Sequence, residues 1–587
     1  MRVCSRQCSF FLFILKVASG FSFSKGPLVS LRHRSISNSK LYLDGEGMAG
    51  STFNKHILGD IIRALQPSYL SQVKKSIAGN LKGMQTLDLE PFLNFQSTGT
   101  QAGLISWEEL ANTLRQQQTS QEKAFRSKLE QGLIHSPLAS HRVFNSNSSP
   151  ESNVSVTFYR DSAAWCPYCQ KVYIALEEKQ IPYKVIKIDM NSYAGSSKPA
   201  DFLRIQPSGS LPCVSIHREG DQSEDQVIQQ SDDILAAIDA LGSNTRNSKV
   251  PSLLPTSQAD IEYMKFLCDD GRNSLERRLY AEWLWYLTGK RRPVEYRQRF
   301  ESILDEVDST LSSTPGPFFV GEFSMADIKF IPFVERQDAS LLYYKGFNLR
   351  DASRWPYIVK WLEAMEKRPS YLVTKSDVYT HSRALPPQLS AGCEFYEGCE
   401  ESRDAVDVYC LPTTNASSSR TKWREEGWGN YYKDTQVAQR EAAERIIYNH
   451  MNIIKFAARA AGTPGFPAAA AELSDPKAQA NEDAIVAIDI FLRHTINLLL
   501  AKNAGQRRER LKLVSEGATA LSGGGEETVQ AIIDCLDYLR MRIGVPRDMS
   551  YPSAHELREA LLDVSVVLLE AKMGLLSDQK MVNLDKP

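Results

Sequence analysis

The sequence carries almost no net charge, and this lack excludes several classes of partner. Its 69 Lys and Arg residues balance 70 Asp and Glu residues, which leaves a formal net charge of −1 at pH 7. Proteins that neutralise nucleic-acid phosphates are usually strongly basic, so we expect no nucleic-acid partner. Cysteine is also scarce, because ten cysteines in 587 residues are too few for a disulfide-stabilised scaffold. A chain of this length is expected to form about three soluble globular domains.

Long hydrophobic runs are missing as well, so no membrane span is expected in the mature protein. The apolar run at residues 10–15 follows two arginines and is too short to cross a bilayer, which is typical of a signal peptide. Residues 21–43 are rich in Ser, Lys and Arg and contain no Asp or Glu, the composition of a transit peptide. Residues 1–43 together resemble the bipartite address by which algae send proteins through the secretory route to a plastid (chloroplast). A secreted or endomembrane protein with a basic pro-segment is the alternative.

The most informative motif is a pair of cysteines, Cys166 and Cys169, between an apolar β-type run and a helical pattern. Cys166 would be the N-cap of the helix, where free N–H groups and the helix dipole stabilise a thiolate. Cys169 would lie one turn further on, within disulfide reach. We therefore predict a redox or thiol-transfer site. Half of a zinc site is the alternative, but the chain has no second C-x-x-C motif, so no metal site is expected.

The residues that follow the motif predict the rest of a small α/β unit. Residues 183–188 alternate like a second strand, and a Gly-containing turn then ends at Pro212 before a third strand. A proline in that position is a candidate for a cis peptide bond. Ser231 is a suitable N-cap for a further helix over residues 234–241.

Residues 153–243 thus resemble the thioredoxin-like domain of a cytosolic-type glutathione transferase, closest in motif to the omega and dehydroascorbate reductase classes. The resemblance implies that glutathione is the co-substrate and that Cys166 is the catalytic cysteine, which forms a mixed disulfide with it. The resemblance also implies a set of residues that hold the tripeptide. They are Lys198 for the glycyl carboxylate, Leu211 before Pro212 for the cysteinyl backbone, and Gln230 with Ser231 for the γ-glutamyl end.

Three residues depart from the pattern of these classes. Gln230 replaces the usual acid, which removes a charge-assisted contact worth about 1–3 kcal/mol in a buried site. Trp165 stands where dehydroascorbate reductases place an acid before the cysteine, so that substrate is in doubt. Cys169 adds a second thiol and makes the motif Cys-Pro-Tyr-Cys, the glutaredoxin form. A dithiol permits an internal disulfide as well as mixed disulfides with glutathione.

Residues 250–385 resemble the all-α C-terminal domain of the same family. Ser324 and Asp327 form a capping-box pattern at the start of a core helix, and the segment around Trp361 resembles the family's closing helix. The expected fold class is therefore an α/β thioredoxin-like domain plus an all-α transferase C-terminal domain, with an additional C-terminal helical bundle.

The remaining segments show no chemistry of their own. Residues 44–152 are expected to form an N-terminal helical extension against the transferase core, and residues 386–433 a linker. Residues 434–587 are expected to form a helical domain of unknown role, with a flexible connector at the glycines 523–525 and a capping box starting at Ser553.

These observations predict a glutathione-dependent thiol transferase or reductase that acts on small-molecule or protein disulfide substrates. The family resemblance also allows a homodimer. A non-catalytic scaffold that uses the transferase fold for protein interactions is the alternative, favoured by Gln230 and the long appended segments. Retention of Cys166, Cys169, Lys198 and Ser231 together favours the enzyme, because a scaffold needs none of them.

Overall fold

The computed structural model describes residues 86–98, 105–144, 154–188, 198–218, 225–244, 251–269, 271–389, 392–409, 435–463 and 478–574. The predicted targeting segment, residues 1–43, lies outside this part of the chain. The N-terminal extension contains helices and one short strand: α1 (Glu90–Thr98), α2 (Trp107–Gln117), α3 (Ser120–Glu130) and β1 (His141–Arg142).

The α/β domain that follows is built on a mixed sheet with strand order β1-β3-β2-β4-β5. Its elements are β2 (Val154–Asp161), α4 (Pro167–Glu178), β3 (Tyr183–Ile188), α5 (Ala200–Ile205), β4 (Cys213–Arg218), β5 (Gln226–Gln229) and α6 (Ser231–Asn244). The central strand β2 runs parallel to β3 and antiparallel to β4. The apolar residues Val156 and Phe158 of β2 are buried because they pack with α4 into one core.

The second domain is entirely helical and shares that core. Its helices are α7 (Gln258–Cys268), α8 (Leu275–Thr288), α9 (Pro293–Ser312), α10 (Met325–Lys345), α11 (Pro356–Met365), α12 (Pro369–Leu372), α13 (Val378–Ala384) and α14 (Glu400–Tyr409). The central helix α10 begins with the predicted capping box. The Asp327 carboxylate accepts a hydrogen bond from the Ser324 N–H, and Ser324 Oγ accepts one from the Ala326 N–H. Asp327 also accepts a hydrogen bond from Trp361 Nε1 at 2.8 Å, which ties the closing helix α11 to the core.

The C-terminal residues form the predicted helical bundle around a separate core. Its helices are α15 (Thr435–Ile447), α16 (His450–Ala457), α17 (Ala484–Leu499), α18 (Ala504–Ser522), α19 (Glu526–Arg542) and α20 (Tyr551–Lys572). Helix α20 packs against α15, α17, α18 and α19, so it is the centre of the bundle. None of the described helices combines the length and the apolar character that a membrane crossing requires. The predicted fold class is confirmed.

The N-terminal extension packs mainly on the C-terminal bundle, so the prediction that it lies against the transferase core is wrong for its helices. Leu110 and Leu114 of α2 are buried in the core of the bundle. Arg440 of α15 donates to Glu122 of α3 at 2.7 Å, and both side chains are buried. The end of the described extension reaches the α/β domain, where β1 pairs with β3 and forms one edge of the sheet.

Other local expectations also differ from the structure. The first part of the predicted linker belongs to the helical domain, because Cys393 and Val406 lie in its core. The capping box predicted at Ser553 is wrong, since α20 begins earlier, at Tyr551, with Ser550 as the N-cap. The glycines 523–525 form a tight turn instead of a loose connector. This turn packs closely on the chain at Asp88, since a Cβ on Gly524 would lie 1.8 Å from the carbonyl oxygen of Asp88.

The bundle is attached to the helical domain by buried polar contacts. Arg558 of α20 forms an ion pair with Asp377, the N-cap of α13, and both side chains are almost fully buried. Val545 donates its N–H to Thr380 Oγ1 at 3.1 Å in the same interface. Contacts of this kind fix the bundle in one orientation on the transferase domains.

Candidate active site

Cys166 lies at the junction that the sequence predicts, between β2 and α4. It is the N-cap of α4, and its Sγ accepts a hydrogen bond from the Cys169 N–H at 3.3 Å. Pro167 occupies the first helical position, where no backbone donor is needed. Cys166 is half-buried, whereas all the other described cysteines are buried. Cys166 is therefore the described thiol best placed to meet a ligand.

Asp161, at the end of β2, holds the loop that presents this cysteine. Its Oδ2 accepts hydrogen bonds from the Trp165 N–H at 2.5 Å and from the Cys166 N–H at 3.3 Å. The side chain is only 1% exposed. A carboxylate thus reaches the cysteine backbone although Trp165 replaces the acid directly before it. The sequence analysis missed Asp161, and its only signal is an acidic residue at the end of an otherwise apolar run.

Cys169 lies behind Cys166 and is almost fully buried. Burial raises the pKa of its thiol well above the ordinary value, and the neighbouring Cys166 sulfur raises it further. Without a partner that removes its proton, Cys169 is therefore a weak nucleophile at neutral pH.

The predicted cis peptide is present between Leu211 and Pro212. It directs the Leu211 carbonyl oxygen towards Cys166, whose Sγ lies 3.9 Å away. The last two predicted residues lie just beyond the sheet: Cys213 pairs with Gln229, the last residue of β5, and Gln230 and Ser231 follow directly after it.

Cys166, Lys198 and Leu211 line one cleft of about 490 Å³ between the α/β and helical domains. Cys169 and Pro212 are buried and do not line the cleft. Gln230 is exposed and has a left-handed φ of 76°. Ser231 is buried and is the first residue of α6 instead of its N-cap. Neither of these two lines the cleft.

Lys198 supplies the positive charge of the cleft. Its Nζ donates a hydrogen bond to the Gly209 carbonyl oxygen. Burial lowers the pKa of Lys198, while the sulfurs of Cys169 and Cys166 and the Asp161 carboxylate oppose that change. The ammonium group thus lies in the same cleft as Cys166 and interacts with the charges around the cysteine motif.

The opposite wall of the cleft comes from the helical domain. It contains Tyr280 and Trp283 of α8 and Phe333 of α10. Phe333 meets Tyr168, from the cysteine motif itself, with ring centroids 5.6 Å apart. An aromatic wall of this kind suits an apolar or aromatic acceptor beside the reactive sulfur. Sequence analysis did not find these residues, because aromatic side chains on a core helix usually only pack.

Arg336 of α10 joins the helical domain to the cysteine loop. It donates to the Trp165 carbonyl oxygen at 2.7 Å and to Gln170 Oε1 at 3.0 Å. Burial lowers the pKa of this guanidinium, and the charges of Glu335 and Cys166 oppose the change. Arg336 therefore positions the start of α4 and adds a second cation near the thiols.

Comparison with protein families agrees with this arrangement. Residues 165–241 match the family model described as glutathione S-transferase, N-terminal domain, and residues 274–364 match the corresponding C-terminal domain. Residues 165–241 and 274–364 are thus similar to the two domains of a glutathione S-transferase, and the two matches together cover less than a third of the chain. Glutathione is the co-substrate of this family, and the matched residues include Cys166, Cys169 and the cleft residues of α8 and α10.

Relatives of the glutathione S-transferase domains cover only part of the chain. Glutathione S-transferase DHAR3, chloroplastic, of Arabidopsis thaliana is 25% identical over 216 residues, which span 36% of this chain and 69% of the relative. Protein IN2-1 homolog B of Oryza sativa subsp. indica is 27% identical over 226 residues, 36% of this chain and 77% of the relative. The solved structure of glutathione transferase Omega 3C from Trametes versicolor is 27% identical and covers 38% of this chain and 89% of its own, with a TM-score of 0.31.

Proposed function

We propose that this protein is a glutathione-dependent thiol transferase or reductase that acts through a mixed disulfide on Cys166. The observation that carries the proposal is the placement of Cys166. Its sulfur is the half-exposed N-cap of α4 and lies in the cleft beside Lys198 and the Leu211 carbonyl. A helix N-terminus and a nearby cation both favour the thiolate that such chemistry needs.

The reaction balances with two molecules of glutathione. The Cys166 thiolate attacks the glutathionyl sulfur of a glutathionylated substrate, and the substrate sulfur leaves as a thiolate that takes a proton from water. A second glutathione thiolate then attacks the Cys166–glutathione disulfide, releasing glutathione disulfide and restoring the Cys166 thiolate. In reduction of a substrate disulfide, the first mixed disulfide joins Cys166 to the substrate. One glutathione thiolate then displaces the second substrate thiol and a second one displaces Cys166, so two glutathione molecules leave as glutathione disulfide.

The reaction class can be tested with the wild-type protein. We expect turnover of a glutathionylated peptide to exceed conjugation of an aryl halide, because the motif offers a nucleophilic sulfur and no hydroxyl suited to activate glutathione. The measurement is the initial rate of each reaction at equal glutathione concentration. Absence of turnover on every disulfide, together with glutathione binding, would instead favour the non-catalytic scaffold.

Lys198 is proposed to hold the glycyl carboxylate of glutathione. Its Nζ has three donors, and the hydrogen bond to the Gly209 carbonyl oxygen uses one of them. Replacing Lys198 by Met removes a charge-assisted hydrogen bond of about 1.5–3 kcal/mol. We expect the KM for glutathione to rise by about 10–100-fold, with a smaller change in kcat. Lys290→Met, at an exposed ion pair with Glu394, is the control and should leave KM unchanged; an unchanged KM in Lys198→Met would refute the assignment.

Gln230 and Ser231 are proposed to hold the γ-glutamyl end, beside the cis peptide that presents Leu211 to the cysteinyl unit. Their position directly after β5, whose last residue Gln229 pairs with Cys213 next to Pro212, supports this proposal.

Cys169 tests the choice between a monothiol and a dithiol route. We favour the monothiol route, because glutathione itself can resolve the mixed disulfide and Cys169 is buried with a raised pKa. Cys169→Ser should therefore keep most of its turnover in excess glutathione. Mass spectrometry of the variant during turnover provides the check. A covalent substrate complex that accumulates on Cys166 while turnover stops would establish the dithiol route.

The plastid is the proposed destination of the protein. Two relatives that carry the word chloroplastic in their names, from Arabidopsis thaliana and Oryza sativa, support this proposal. A fluorescent protein fused behind residues 1–43 should enter the plastid, and its secretion would contradict the proposal.

A further inference from the structure

A buried carboxylate oxygen next to the two thiols has no hydrogen-bond partner. Asp161 uses Oδ2 to bind the Trp165 and Cys166 N–H groups, but its Oδ1 has no partner within the described part of the chain. One carboxylate oxygen of Asp161 and the sulfurs of Cys166 and Cys169 all lie within 4.8 Å of one another. An anionic oxygen buried without a partner is costly, and the Asp161 carboxylate that carries it lies beside two sulfurs, so the cluster points to a ligand.

We propose that Asp161, Cys166 and Cys169 of the reduced protein bind one thiophilic divalent cation, with Zn²⁺ as the best fit. Zinc takes thiolate sulfur at about 2.3 Å and carboxylate oxygen at about 2.0–2.2 Å in a tetrahedral arrangement. Three ligand atoms within 4.8 Å of one another can reach this geometry through small side-chain movements. The fourth position faces the cleft, because Cys166 is the half-exposed member of the set.

The sequence-based expectation of no metal site depended on the missing second pair of cysteines. The third ligand is instead a carboxylate five residues before Cys166, at the end of β2, where the fold returns it to the helix start. Two thiolates and one carboxylate exceed the charge of Zn²⁺ by one unit. Arg336, bonded to the Trp165 carbonyl, and Lys198 in the cleft provide the compensating positive charge nearby.

Zinc binding and disulfide chemistry would exclude each other at this site. A bound cation displaces the thiol protons and occupies the sulfur lone pairs that a disulfide needs. Zinc is therefore expected to mask Cys166 reversibly. The inference goes beyond the proposed function and does not depend on it, because the metal requires only the reduced side chains.

Metal binding itself is the decisive measurement. Reduced full-length protein is titrated with Zn²⁺ against a chromophoric chelator of known affinity, and we expect one zinc per chain that competes with the chelator. Asp161→Asn should weaken binding by about tenfold or more, since even partners behind the ligands change affinity by about 10–100-fold. This variant keeps an oxygen that can accept the Trp165 and Cys166 N–H groups. Cys169→Ser should abolish tight binding, and Cys535→Ala, in the core of the bundle, should not change it.

A second measurement is independent of how well the variants fold. Zn²⁺ should protect Cys166 and Cys169 of the wild-type protein from alkylation, as mapped by mass spectrometry, and a chelator should remove the protection. Absence of both zinc retention and protection in the reduced wild type would overturn the inference. Wild-type affinity in a folded Asp161→Asn variant would also overturn it, and an equal loss in Cys535→Ala would show that the zinc is bound elsewhere.

Discussion

Replacing Cys166 by Ala is expected to lower turnover of glutathionylated substrates by about a thousandfold or more, as loss of a covalent nucleophile does in other enzymes. Cys166 combines access to the cleft with the helix N-terminal position. The buried Cys169 cannot substitute for it, because its raised pKa keeps it protonated at neutral pH and its side chain is almost fully buried. The measurement is kcat/KM for a glutathionylated peptide at saturating glutathione.

The matched control for this prediction is Cys535→Ala, which removes a buried thiol from the C-terminal bundle. It should keep wild-type kcat/KM, because the residue lies outside the cleft. Glutathione binding to Cys166→Ala, measured by calorimetry, should survive, since Lys198 and the Leu211 backbone remain. Substantial thiol-transferase turnover in Cys166→Ala would move the nucleophile to another residue and refute the proposed mechanism.

The parts of the site that sequence analysis could predict depend on local signals. The N-cap position of Cys166 follows from a strand, a Cys-Pro pair and a helical pattern within about one turn of each other. The cis bond before Pro212 likewise follows from a Gly-containing turn that ends at a strand. In both places neighbouring residues determine the conformation, so one sequence is sufficient.

The parts that could not be predicted depend on residues far apart in the chain. Arg336 reaches the Trp165 carbonyl across 171 positions, and nothing in either local sequence indicates the contact. The same holds for the N-terminal helices, which were expected on the transferase core. Their apolar faces fit any apolar surface, and the buried Glu122–Arg440 pair that ties them to the bundle has a separation of 318 residues.

Replacing Arg558 by Met is expected to destabilise the attachment of the C-terminal bundle by about 3–5 kcal/mol, the usual cost of leaving one partner of a buried ion pair alone. The side chain of Arg558 is 0% exposed and that of its partner Asp377 is 6% exposed. Arg558 also donates to Thr380 Oγ1 at 3.1 Å and to the Ile543 carbonyl oxygen at 2.6 Å. Urea unfolding followed by circular dichroism should show a lower midpoint for the transition that involves the bundle.

The stability lost in Arg558→Met should also depend on pH, and the titration of the Asp377 carboxylate sets the direction of that dependence. Burial alone would raise the pKa of Asp377, but the Arg558 charge and the hydrogen bonds from Arg558 and Thr380 together outweigh burial and lower that pKa below its usual value near 4. A carboxyl group with a lowered folded-state pKa stabilises the protein fully above its unfolded pKa and loses that contribution as pH falls through the folded value. The difference between wild type and Arg558→Met should therefore be largest near neutrality and shrink in acid.

Two further variants separate the ion pair from general damage to α20. Asp377→Asn combined with Arg558→Met removes both charges but keeps an oxygen for the Thr380 N–H, so the double variant should be more stable than Arg558→Met alone. Arg507→Met, in α18, breaks a more exposed ion pair with Asp563 of α20. The side chains of Arg507 and Asp563 are 32% and 42% exposed. Screening by water limits that pair to about 0–1 kcal/mol. Equal destabilisation by Arg507→Met and Arg558→Met would mean that the buried pair does not hold the bundle in place.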